Sequence, residues 1–261
     1  MEEQNIPQNT PDVNQNPGHY REPISKTDAM VGVFTEPGNT YESIAAVKGN
    51  YWVLPIVIAI VVGIIAVFIG QMDPQLFGDM MSKQRKKMEE KFQEQVKEGS
   101  MTQEQAQQSM EQSAKFMDPN GVFFKLIAFG GSIIGTFMIF IILSLLYLLG
   151  LKIFKAQFEF TNILNVVGLA MLISAIGGLI AIVLSVIMGQ LTGVGLGLIL
   201  KEEAVGEKMY ALITKLDVFT IWFYAVISIG LSKIARIPMA KSVSLVFGIW
   251  IIYILVTTFV F

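Results

Sequence analysis

The sequence predicts an all-α, polytopic membrane protein with about five transmembrane helices and a helical hairpin inserted in the first loop. Three observations carry this. Of 261 residues, 53% are hydrophobic and only 15% charged, against roughly 25% charged in a soluble domain. The apolar residues are gathered into long runs without charge. The one densely charged stretch, between the first two runs, has helical spacing of its apolar residues.

A spanning helix needs about 20 apolar residues, since each rises about 1.5 Å and the hydrocarbon layer is about 30 Å thick. Lys48 to Asp73 encloses 24 uncharged residues and gives a first span at 51–70. Tyr51 and Trp52 stand at its interfacial end, and Pro55 falls in the first turn, where it breaks no helical bond. Lys125 to Lys152 encloses 26 uncharged residues, for a second span at 123–150. Glu159 to Lys201 encloses 41. As one helix that run would be about 60 Å long, twice the layer. The third span is placed at 163–188, with GQLTGVGLGLIL as a broken or interfacial tail. The alternative is two spans turning at Gly177-Gly178, where no polar turn residue stands. Asp217 to Lys233 encloses 15 uncharged residues. A fourth span at 217–235 fits if Lys233 snorkels to the interface. The fifth occupies 242–261, which completes a membrane domain over 51–261.

Outside the spans, residues 1–28 are a polar tail expected to be disordered, because Gln, Asn, Pro and Glu leave little to bury. No basic and apolar signal-peptide pattern opens it. Residues 29–50 form a lead-in, with Pro37-Gly38 as a turn before a short amphipathic helix at 40–47. The extramembrane hairpin covers 78–118. Gly99 suits a helix end, and Ser100 or Thr102, with Gln103 or Gln105 three residues on, suits the next N-cap. This hairpin is either a solvated pair or a surface for a partner or for lipid.

Composition bounds the chemistry. There is no cysteine, and the single histidine, His19, lies in the polar tail. Thiolate zinc sites and multi-histidine metal sites are thereby excluded. A net charge of −2 points away from nucleic acid. No phosphate-binding loop, GxSxG or HExxH pattern occurs. No catalytic residue, cofactor or metal is expected. The expected partners are the lipid bilayer and other membrane proteins or a second copy.

Small residues recur every four positions, which puts them on one helix face where a neighbouring backbone can approach. One row is Ala170, Ser174, Gly178, and another is Ala181, Ser185, Gly189, Gly193, Gly197. Gly131 and Gly135 form a GxxxG in the second span. These rows serve internal packing, contacts between copies, or a Gly-lined pore. Asp217 is the carboxylate closest to an apolar span. It is read as a helix cap, with a proton or cation role as the alternative. Asn162 and Asn165 are expected to satisfy helix ends or each other. Lys233, Arg236 and Lys241 before the last span, and Lys152 and Lys155 after the second, place those loops in the cytoplasm. The N-terminus is then cytoplasmic and the C-terminus outside. The cluster Lys83, Arg85, Lys86, Lys87 and Lys91 in the first loop argues the other way.

Two segments carry a family resemblance: VFTEPGNTYESI leading to YWVLPI, and LDVFTIWFYAVISIGLSKIARIPMAKS. They resemble the Yip domain family, the Ypt/Rab-interacting type, in a bacterial form. The matching positions are Phe34, Pro37, Tyr41, Trp52 and Pro55, then Asp217, Phe219, Trp222, Gly230, Lys233, Ala240 and Lys241. The DLYGP-like and GYP-like segments of eukaryotic members are missing, so Rab binding is not carried over. The resemblance implies five spans, a cytoplasmic N-terminus, the plasma membrane, and a non-enzymatic scaffold or adaptor that organises other membrane components. The competing functions are a small transporter or channel using the Gly-rich third run, and an intramembrane enzyme using Asp217.

Overall fold

The computed structural model describes residues 24–47, 49–116, 118, 121–200 and 202–259. Most of the polar tail expected to be disordered, residues 1–23, therefore lies outside the described residues, as do Lys48 and the last two residues of the chain. The described residues form an all-helical protein with five helices long and apolar enough to cross a membrane.

The described residues open with two short helices where the sequence suggested one. Helix α1 spans Lys26–Thr35 and α2 spans Pro37–Ala45. Ser25 caps α1 by accepting from the Asp28 N–H at 3.0 Å, so residues 26–28 are helical and not part of a disordered tail. Pro37 is the first residue of α2, where its missing N–H costs nothing and its fixed φ suits the helix. Pro37-Gly38 is thus a helix start and not a turn.

The first span, α3 (Val53–Met72), ends at Asp73. Extended backbone there redirects the chain, and the Asp73 carboxylate accepts from the Leu76 N–H at 2.7 Å to cap α4 (Pro74–Lys97). Gly99, at φ +74°, closes the following turn. Thr102 and Gln105 then form a reciprocal capping box at 2.9 and 3.2 Å that starts α5 (Gln103–Phe116). Helices α4 and α5 pack on each other as a helical hairpin between the first two spans. Phe77 on α4 meets Phe124 edge-on at 5.7 Å between ring centres, tying the hairpin to the next span.

That span, α6 (Val122–Ile153), is 32 residues long. The next, α7 (Phe160–Met188), is unbroken through Gly177-Gly178, so the long third run crosses once. It stops at Gly189, whose left-handed backbone (φ 65°, ψ 17°) is the conformation in which glycine pays no Cβ penalty. The Gly-rich tail continues as a 3₁₀ turn at Leu196–Leu198, then α8 (Glu202–Val205) and α9 (Glu207–Thr214). The last spans are α10 (Val218–Ala235) and α11 (Met239–Phe259).

Helix α7 is the hub. It packs against α1, α2, α3, α6 and α10, and Ile163, Val166, Val167, Leu169, Ala170 and Ile173 on it are fully buried. Close approach fixes the register of its neighbours. Val166 faces Gly230 and Gly177 faces Phe219. Those pairs lie eleven residues apart on both helices, which makes α7 and α10 antiparallel. Apolar side chains such as Ile134, Ile142 and Leu149 of α6 stay exposed, as a lipid-facing surface requires.

Candidate functional site

The N-terminal helix pair is latched onto α7 and α10, and Phe34, Tyr41, Trp222 and Gly230 meet at this junction. Phe34 of α1 lies edge-on to Trp222 of α10 at 5.7 Å. Trp222 is eight residues below Gly230, about 12 Å along the helix. Helix α1 therefore reaches well into the layer of the spans. The Tyr41 hydroxyl of α2 donates to the Val166 carbonyl at 3.2 Å. Burial pushes the Tyr41 phenol far above its ordinary pKa, so it remains a donor at physiological pH. A Cβ on Gly230 would lie 2.6 Å from Val166 and 3.0 Å from Tyr41. Glycine there lets α2 and α7 converge on α10.

The carbonyl that Tyr41 contacts belongs to a helix already hydrogen-bonded internally, so the phenol adds a second acceptance. Tyr41→Phe removes that bond alone. It is expected to cost about 1 kcal/mol, read as a lower unfolding midpoint in detergent micelles with an unchanged helical spectrum. No shift in midpoint would refute the latch assignment.

The first turn of α3 is held from α7. Trp52 precedes α3 and caps nothing with its own side chain. Instead the Asn165 carboxamide oxygen accepts from the Tyr51 N–H at 2.8 Å and the Trp52 N–H at 3.2 Å. Its nitrogen donates to the Gly49 carbonyl at 2.9 Å. Asn165 is fully buried, and its one side chain satisfies three backbone groups, of which the Tyr51 N–H is buried and the other two part-buried. The Tyr51 hydroxyl then donates to the Ile24 carbonyl at 2.9 Å, anchoring the start of α1. Trp52 stacks on Phe140 of α6 at 5.3 Å, and its backbone rests on Gly168. Pro55 is buried in the first turn of α3.

Electrostatics at the rim is modest. Lys233 reaches Glu42 at 3.1 Å, with both side chains nearly half exposed, so the pair contributes little. Its aliphatic stem also covers Gly38. Lys241 lies over the Phe154 ring at 5.9 Å, joining the two short loops on the side of α1 and α2. Asp217 stands at the opposite end of α10, away from the junction. It is the N-cap of that helix, with Oδ1 accepting from the N–H groups of Phe219 and Thr220 at 2.9 and 3.0 Å. Its Oδ2 accepts from the Thr220 hydroxyl.

The small-residue rows fare differently. Gly131, Gly135 and Gly178 face open space, and Ser174 is exposed. Ser185 is buried and turns inward, donating to Ala181 and accepting from the Thr192 N–H. The second row ends as a helical face at Gly189, because the helix stops there. Gly193 and Gly197 follow in the loop and the 3₁₀ turn, so they share no face with it. Glycines that admit a neighbour from another helix or its flank include Gly63, Gly150, Gly168, Gly177 and Gly230, and of the singled-out row Gly189, which lies against the Gln75 side chain. Gly168 is the principal residue that motif reading missed, while Asn165, expected to satisfy a helix end, does so for α3 and not for its own helix. Among the described residues no group of three or more His, Cys, Asp or Glu could hold a metal ion.

Five apolar helices, with a helix pair locked into one end by a buried tyrosine and a buried asparagine, define a polytopic helical membrane protein. The polar groups of the junction hold backbone to backbone. A comparison with protein families matches the Yip1 domain over residues 31–261, nearly the whole chain. The chain belongs to the Yip1 domain family. No curated protein and no solved structure matches it.

Proposed function

We propose that the protein is a non-enzymatic scaffold or adaptor that organises other components of a bacterial plasma membrane, with its N-terminus in the cytoplasm and its C-terminus outside. The supporting observation is how the junction uses its chemistry. The Tyr41 hydroxyl and the Asn165 carboxamide are both buried in bonds to backbone. Such a site makes a rigid platform and offers a substrate no reactive group. Helix α7 is continuous over its 29 residues and the break at Gly189 falls at its end, so the third run places no helix break at mid-span, where a transporter would bind its solute. The short loops beside the helix pair carry Lys152, Lys155, Lys233, Arg236 and Lys241, the bias of a cytoplasmic face.

Tags at the N-terminus, at Ser100 and at the C-terminus test the orientation. From outside intact cells, the Ser100 and C-terminal tags are expected to be accessible and the N-terminal tag protected. The reverse pattern would overturn the orientation. Crosslinking in cells should join the chain to other membrane proteins, while liposomes containing it should show no solute flux above empty ones. Specific flux would overturn the scaffold reading.

A further inference from the structure

The opposite end of the bundle carries a second built feature, beneath the hairpin. A cavity of about 390 Å³ opens between α3, α4, α6 and α7. Its floor is apolar, formed by Ala66, Ile127 and Ile182 among others. Its mouth is polar, with Gln71 at the end of α3 and Gln84 on α4. Neither carboxamide hydrogen-bonds to a described residue. From Gln71 to Ala66 is five residues, about 7 Å along the helix. The cavity thus runs from the interface into the acyl layer, polar outside and apolar inside.

Basic side chains are concentrated on α4 just beyond the mouth. Between Asp79 and Glu89 the chain carries Lys83, Arg85, Lys86 and Lys87 and no acid. Lys83 is taken by Asp79 at 3.0 Å and Lys86 by Glu90 at 3.9 Å. Arg85 turns to a separate groove against α5, where Glu111 lies. Lys87 follows Gln84 by three residues and so shares its helix face. On α6, Lys125 stands one turn nearer the water than the lining residue Ala128. Lys87 and Lys125 are exposed and form no ion pair with a described residue. A membrane-depth apolar slot, two free amides and two free cations in succession match the parts of one molecule.

We propose that this cavity seats a single anionic diacyl phospholipid. One acyl chain lies on the Ala66–Ile127–Ile182 floor, the ester carbonyls accept from Gln71 and Gln84, and the phosphate meets Lys87 and Lys125. The site is independent of the scaffold reading, since it involves neither the N-terminal latch nor a protein partner.

The test uses the full chain in lipid nanodiscs containing phosphatidylglycerol or phosphatidylcholine with a photoactivatable acyl chain, and maps the labelled peptides. Phosphatidylglycerol is expected to label the cavity peptides of α4 and α6 about tenfold more than phosphatidylcholine does. Lys87→Gln with Lys125→Gln should bring the two lipids to parity, while labelling of the exposed α6 face around Leu146 stays the same. That second readout also reports retained fold. Ala128→Trp should exclude both lipids from the cavity. Equal labelling of the cavity by both lipids in the unaltered chain would overturn the proposal. So would inorganic phosphate displacing the phosphatidylglycerol label, which would mark a free-anion site. Crosslinks across the cavity to a second copy, in place of lipid, would overturn it as well.

Discussion

Asn165→Ala is expected to destabilise the protein by about 3 kcal/mol or more. Truncation leaves the buried Tyr51 N–H and the part-buried Trp52 N–H and Gly49 carbonyl without their partner. Each stranded group costs about 1–3 kcal/mol, and partial relaxation keeps the sum below the simple total. Reversible unfolding in mixed micelles measures this directly. Asn165→Asp separates the two halves of the bond set. It keeps an acceptor for both N–H groups and loses the donor to Gly49, so it should fall between the native chain and the alanine variant when the carboxylate is ionised. An alanine variant within 0.5 kcal/mol of the native protein would mean that water or a shifted α3 replaces the amide.

Gly168→Ala is expected to be comparably severe, and Gly178→Ala harmless. A Cβ on Gly168 would lie 2.6 Å from the Trp52 Cβ and 2.9 Å from its Cα. Backbone cannot swing aside as a side-chain tip can, so α3 must move off α7, at a cost of about 3 kcal/mol. A Cβ on Gly178 meets nothing within 4 Å. There the helix propensity of alanine over glycine should raise stability by up to about 1 kcal/mol. The two variants add the same methyl group to the same helix ten residues apart, so their difference isolates the close approach of Trp52. Equal midpoints would show that α3 and α7 are not held in this register.

These two predictions show where sequence reading succeeds and where it stops. The spans are legible because hydrocarbon imposes a length and forbids charge, and both constraints act on contiguous residues. The family positions Phe34, Tyr41, Trp52, Trp222 and Gly230 are also legible as a set, and folding brings them to one junction. Their partners are not. Asn165 looks like any amide near a helix start, because the groups it satisfies lie over a hundred residues earlier. Spacing finds Gly131 and Gly135 but cannot say which face meets a neighbour. The packed glycines Gly63, Gly150, Gly168, Gly177 and Gly230 form no common stripe, since they lie on four helices and answer different neighbours: Ser132, Leu245, Trp52, Phe219, and Val166 with Tyr41. Helix α1 escapes notice because KTDAMVGVFT mixes Gly, Val and Thr, poor helix formers on their own, and buries only the small Ala29 and Val33.

The dependence of α3 on Asn165 also sets a schedule. The bond from the Tyr51 N–H spans 114 residues and the one from Tyr41 spans 125. At about 5–20 residues per second of synthesis, the first span emerges on the order of ten seconds before its anchor exists. Gly230 and Lys233, which complete the seat of α2, come later still. During translation the N-terminal helices must wait, undocked, until the third and fourth spans arrive. The junction closes only after the fourth span has been made, so its closure marks that the spans it joins have been inserted.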